Sequence, residues 1–185
     1  MKRLFDLTLA LLLLLPALAL VVLAMLLIRL NTKGSSLFVQ TRIGRNERPF
    51  QLYKLRTMTL GTPDRASHEI SQSSVTPIGA FLRKTKIDEL PQILSVLKGD
   101  MSFVGPRPCL PIQHELIAER SKRGVFQVRP GITGLAQISG VDMSEPVRLS
   151  IMDAEYIDAS NFLFDAKILI STIAGSGRGD AVGLG

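Results

Sequence analysis

From Leu7 to Ile28 the chain runs 22 residues without a charge, and Thr8 is the only polar side chain among them. A helix of that length is roughly 33 Å long, about one hydrocarbon core. A plain soluble domain is therefore excluded, and the charges spread through the remainder exclude a polytopic membrane protein. Lys2-Arg3 and Ala17-Leu18-Ala19 imitate a signal peptide and its cleavage site, but the apolar run continues past them to Ile28. A single span fits on length. Two features favour another arrangement. Pro16 interrupts the middle of the run, where it removes a helix hydrogen bond. Positive charge flanks both ends, with Lys2 and Arg3 before and Arg29, Lys33 and Arg42 after, so the positive-inside rule places both on the cytoplasmic side. A re-entrant hairpin broken at Pro16 satisfies both features, and a kinked span satisfies the length.

The chain carries a formal net charge of +6, unevenly placed. Residues 29–60 hold seven basic side chains against Glu47 alone, and residues 131–185 are acidic. A basic block beside an apolar anchor suits anionic headgroups or a phosphorylated substrate. With a single cysteine, Cys109, and two histidines, His68 and His114, no disulfide framework can form, and a zinc site of four Cys/His ligands is not expected. Without tryptophan and with only two tyrosines, the chain has no stacking platform for single-stranded nucleic acid, and no nucleic-acid partner is expected.

Past the anchor, residues 37–43 and 50–55 alternate around the polar turn Gly44–Arg48 and predict a β-hairpin. Residues 61–75 read as a polar loop. Thr76-Pro77 predicts a helix start. Leu90, Ile93, Leu94 and Leu97 predict one apolar helical face that ends at Gly99. Residues 100–109 and 127–140 read as loops punctuated by glycine and proline, and helices are expected at 110–123, 145–159 and 161–174. The last of these is apolar enough to lie against a membrane. The expected organisation is a membrane helix-break-helix at 1–33, a cytoplasmic domain at 34–174 and a Gly-rich flexible tail at 175–185. The fold class is mainly α with a small β-hairpin.

Asp88-Glu89 is the most informative pair. It opens an apolar-faced helix, where Asp88 can serve simply as N-cap and Glu89 as a first-turn acid. Two neighbouring carboxylates can also hold Mg²⁺, which takes a few carboxylate oxygens together with phosphate oxygens, and a carboxylate at such a site can be a nucleophile. Arg83, Arg107 between two prolines, and Arg129 ahead of Pro130-Gly131 are candidates for phosphate. Cys109 reads as a small buried apolar residue. Asp153 and Tyr156 read as one polar helix face.

Several segments in order resemble the small monotopic phosphoglycosyl transferases, the bacterial sugar transferase family. They are Lys2-Arg3-Leu4-Phe5-Asp6, Gln40-Thr41-Arg42-Ile43-Gly44, Tyr53–Met58, Asp88-Glu89-Leu90-Pro91-Gln92, Leu97–Pro108 and Val128–Gly134. The resemblance implies transfer of a sugar-1-phosphate from a UDP-sugar to undecaprenyl phosphate, with release of UMP. It implies that Asp88 is the nucleophile of a covalent phosphosugar intermediate, with Glu89 its partner and both carboxylates on Mg²⁺. It gives Lys54, Arg83, Arg107 and Arg129 to substrate phosphates. It also implies a re-entrant N-terminal helix, amphipathic helices at the membrane surface, contact with membrane lipids and a place on the cytoplasmic face of the bacterial inner membrane, and it leaves a homodimer open. With no multi-span segment ahead of Lys2, the expectation is the minimal form, similar to transferases for N-acetylated deoxy-amino sugars. Two positions depart from the family pattern: Leu15 stands where a serine usually precedes the proline, and Leu135 where a tryptophan follows Gly134. The rival expectations are a non-catalytic, membrane-anchored polyanion-binding domain and a carboxylate-dependent phosphohydrolase.

Overall fold

A computed structural model of the chain describes residues 1–62 and 74–175. The expected polar loop and Gly-rich tail, and with them His68, lie largely outside the described residues. Helix α1 (Lys2–Asn31) is long and apolar enough to cross a membrane. It runs as one helix with Pro16 inside it, where a break into two arms was expected. A proline withdraws one backbone bond and crowds the preceding turn, which bends a helix without having to end it. Asp6, Ala10, Ala17, Ala24 and Ile28 are its buried residues. Steps of four and seven keep them on one stripe, and alanines there let the backbone approach the domain. The opposite face, with Leu11, Leu15, Leu18, Val22 and Leu26, is exposed.

Strands β1 (Leu37–Ile43) and β2 (Pro49–Leu55) form the expected antiparallel hairpin, with Arg45 in its tip. Its polar alternate positions face inward: Gln40, Arg42 and Lys54 are buried beside Leu52, while Val39 is exposed. Helix α2 (Pro77–Thr85) starts as the sequence predicts, since the Thr76 hydroxyl accepts from Gly79 N–H at 2.9 Å. A 3-10 turn (Ile87–Gln92) then leads into α3 (Ile93–Lys98), which Gly99 closes at φ 94°. The change of helix type splits the apolar face: Ile93 and Val96 are buried, whereas Leu94 is exposed.

Both expected Gly/Pro loops contain a strand. β3 (Ser102–Val104) pairs in parallel with β4 (Gly131–Thr133). A Cβ on Gly131 would collide with the Gly105 backbone, as would one on Gly134, so these glycines set how close the two segments come. Helix α4 (His114–Lys122), the single turn α5 (Leu135–Ile138), α6 (Pro146–Ala159) and α7 (Phe162–Ile173) complete the fold. The largest apolar cluster joins Ala10 and Ala17 of α1 to Leu52, Val96, Met101 and Ile168. The anchor therefore shares the core of the domain.

Candidate active site

Lys86 ends α2 in the left-handed region at φ 58°, an uncommon conformation for a residue with a side chain. The reversal starts the next turn at Ile87, so Asp88 and Glu89 lie inside its first turn and Lys86 occupies the N-cap position expected for Asp88. Both carboxylates are buried, Asp88 at 4% exposure and Glu89 at 8%. A buried carboxylate needs cations or donors around it. Lys54, on the inward face of β2, places its Nζ 3.2 Å from Glu89 Oε1. Arg107, between Pro106 and Pro108, brings Nη2 to the same oxygen at 3.2 Å. Residues 54, 89 and 107, far apart in the chain, thus meet at one oxygen atom.

Arg83, in the last turn of α2, donates from Nε to Thr57 Oγ1 at 2.9 Å. Arg129 is occupied differently: its Nε donates to the Gly99 carbonyl at 2.6 Å, across the end of α3.

Glu89 and Arg107 open onto a cleft of about 580 Å³. Lys84, Thr85 and Lys86 form part of its rim, and its wall is mostly apolar, including Ile93, Phe103, Ile132 and Leu169. Leu13, from the middle of α1, also lines it. The cleft thus combines charged residues, Lys84, Lys86, Glu89 and Arg107, with apolar ones that include Leu13 of α1. Among the described residues no group of three or more His, Cys, Asp or Glu side chains comes together.

Three residues that the sequence placed on the surface or left unassigned are buried. Arg120 is 1% exposed and pairs with Asp153, with Nε 2.9 Å and Nη2 2.7 Å from Oδ2. Burial pushes the Asp153 carboxyl up from its ordinary range, and the Arg120 charge draws it back. Tyr156 donates to Asp165 Oδ1 at 2.8 Å, and Lys2 of α1 pairs with Asp165 Oδ2. Asp153 and Tyr156 therefore do not form the polar helix face expected of them. Arg120 carried a legible signal: it lies four residues after Leu116, on the same face of α4. Cys109 is buried as expected, and burial raises its thiol pKa.

This site and fold belong with a pattern that spans nearly the whole chain. Residues 1–178 match the bacterial sugar transferase family, and the chain belongs to it. The chain is 40% identical over 173 residues to EpsL, an uncharacterized sugar transferase of Bacillus subtilis, covering 94% of this chain and 85% of that protein. It is 41% identical over 181 residues to the UDP-glucose:undecaprenyl-phosphate glucose-1-phosphate transferase of Caulobacter vibrioides, covering 93% of this chain and 68% of that one. To the Escherichia coli protein of the same name it is 37% identical over 185 residues, covering 94% of this chain but 39% of that longer protein.

Proposed function

We propose that the chain moves a sugar-1-phosphate from a UDP-sugar to undecaprenyl phosphate and releases UMP. The observation that carries this reading is the cleft: a buried Glu89, bonded to Lys54 and Arg107, stands where a largely apolar wall reaches Leu13 of the membrane helix. A lipid phosphate needs both kinds of lining. Its tail stays with the anchor while its phosphate meets cations.

In this reading an Asp88 oxygen attacks the sugar-bearing phosphorus of the UDP-sugar. The bond from that phosphorus to the bridging oxygen breaks, and UMP leaves with the oxygen. A phosphate oxygen of undecaprenyl phosphate then attacks the same phosphorus. The acyl-phosphate bond breaks, Asp88 returns as a carboxylate, and the lipid diphosphosugar is the product. A covalent intermediate lets a water-soluble donor and a membrane-bound acceptor use one site in turn. Lys54, Arg83 and Arg107 bind phosphate oxygens, where fixed positive charge stabilises what develops in the transition state. Arg129, expected in the same role, also donates from Nε to the Gly99 carbonyl.

The donor set suits Mg²⁺ as it is used with diphosphates, since that ion takes one or two carboxylates and leaves its other positions to phosphate and water. Asp88 and Glu89 would hold it, and when bound it neutralises diphosphate charge.

The same domain grips both ends of α1, and this supports a monotopic placement; the basic residues that flank both ends of the apolar run support the cytoplasmic face. Arg3 donates to the carbonyls of Val96 and Leu97, and Asp6 accepts from Ser102 Oγ at 3.0 Å. At the other end Ala24 and Ile28 pack with Leu55 and Leu82. One folded body holding both ends is what a re-entrant helix requires.

The test is purified protein with undecaprenyl phosphate and a panel of UDP-sugars, read as UMP. The panel includes UDP-glucose, UDP-N-acetylgalactosamine and N-acetylated deoxy-amino sugars, the last being the class expected from the resemblance. Asp88→Asn is expected to abolish turnover at unchanged Tm, and digestion of trapped protein is expected to place a phosphosugar on Asp88. Normal UMP release by the variant, or an adduct elsewhere, overturns the assignment. Binding of polyanions without any turnover on the panel would favour the non-catalytic rival.

A further inference from the structure

Four consecutive carbonyls, from Pro106 to Cys109, each accept a hydrogen bond. Gly131 N–H binds Pro106 O at 2.9 Å, and Ile43 N–H binds Cys109 O at 2.9 Å. The two between them are held by side chains: Arg120 Nη1 binds Arg107 O at 2.8 Å, and Arg42 Nη1 binds Pro108 O at 3.0 Å. Each of these arginines is itself tied down. Arg120 is paired with Asp153 of α6, and Arg42 donates from Nε to Gln40 Oε1 at 2.8 Å. All four clamp residues are no more than 6% exposed.

Burying two guanidinium groups is costly, and well-packed apolar side chains in their place would stabilise a core as well or better. Prolines 106 and 108 have no N–H, so this loop has few donors with which to hold itself in place. What the buried arginines fix is the backbone on the C-terminal side of the Arg107 Cα, while Gly131 N–H holds the Pro106 carbonyl on the other side, and the Arg107 side chain leaves that backbone toward Glu89 in the cleft.

We propose that Arg120 with Asp153, and Arg42 with Gln40, are positioning residues that hold the Arg107 guanidinium in register with Glu89 and the substrate phosphates. The proposal rests on the reading of Arg107 as a phosphate-binding residue. An error of about an ångström in such a group costs on the order of 100-fold in rate, and two prolines with two buried clamps leave the loop little freedom to make one.

A mutant cycle tests it in the full-length protein, with undecaprenyl phosphate and the UDP-sugar that gives most UMP in the panel. Arg120→Met with Asp153→Leu removes one clamp without stranding a buried charge, and Arg42→Met with Gln40→Leu removes the other. Either pair is expected to lower kcat/KM by about 10- to 100-fold while Tm stays within a few degrees. In an Arg107→Ala background the same pair is expected to cost no more than about twofold, because the group it positions is gone. Arg120→Lys keeps a charge opposite Asp153 but is too short to serve the Arg107 carbonyl as well. It enters the same cycle if the apolar pairs do not fold. Equal losses with and without Arg107 mean a general structural role and overturn the proposal. An Arg107→Ala enzyme with undiminished turnover instead overturns the reading of Arg107, and the clamp assignment falls with it.

Discussion

Glu89 Oε1 receives two cations, and that convergence separates the basic residues that the sequence had grouped together. Arg107 reaches the carboxylate, whereas Arg129 is committed to the Gly99 carbonyl at the end of α3. Arg107→Ala is expected to lower kcat/KM by about 10- to 150-fold, the worth of a charge-assisted bond to a charged group. Arg129→Ala is expected to lower kcat/KM less and also to destabilise, by about 1.5–3 kcal/mol for the lost bond from a charged donor. Steady-state UMP release and thermal unfolding, measured on both variants, separate the two. Tyr156 offers a test by pH. Burial first, then its bond to Asp165 and the charges of Asp165 and Asp6, raise its phenol far above the ordinary value. The folded state thus holds the phenolic proton more tightly than the unfolded chain does. The Tyr156 contribution is complete below the unfolded pKa of about 10 and is lost as pH rises past it. Tm measured from pH 8 to 11 is expected to fall above about 10, and less steeply in Tyr156→Phe.

Among the elements, β3 and β4 depend on backbone proximity. A methyl group on Gly131 meets the Gly105 amide and the Thr133 carbonyl, and neither can swing aside as a side chain would. Gly131→Ala is expected to destabilise by at least the 1–3 kcal/mol or so typical of overpacking, and to lower activity through the shared loop at Pro106. Gly140, whose added Cβ meets nothing within 4 Å but whose φ is 73°, provides the contrast: Gly140→Asn is expected to be mild because asparagine tolerates the left-handed region. Chemical denaturation of the two variants in the same detergent makes the comparison.

At the scale of the whole molecule, α1 is part of the domain's core and cannot be a detachable tether. Asp6, Ala10, Ala17, Ala24 and Ile28 put one face of the helix into the protein, and Leu11, Leu15, Leu18 and Leu26 face outward. A protein built this way sits at a fixed depth. Leu4→Cys and Lys33→Cys, each with Cys109→Ser, are both expected to be shielded from a membrane-impermeant thiol reagent in intact cells and labelled after lysis. Labelling of position 4 from outside would make α1 an ordinary span.

The apolar run, the hairpin, the helix start at Thr76-Pro77 and the place of Asp88-Glu89 in a first helical turn were legible in the chain because each rests on neighbours within a few residues: hydropathy, period, capping and local charge. The motifs also carried the family. Other features were decided only in three dimensions. Residues 100–109 and 127–140 look like separate loops until their parallel pairing supplies each with hydrogen bonds that neither can make alone. Arg42, Arg120 and Asp153 look like surface charges until packing removes water and leaves each the partners within reach, among them Asp153 for Arg120, 33 residues away, and the Pro108 carbonyl for Arg42, 66 residues away. The sequence by itself determined the apolar helix, the hairpin and the family, because these rest on local pattern and ordered motifs. The tertiary structure decided which of them share an oxygen atom, because position in space depends on long-range contacts that no local period records.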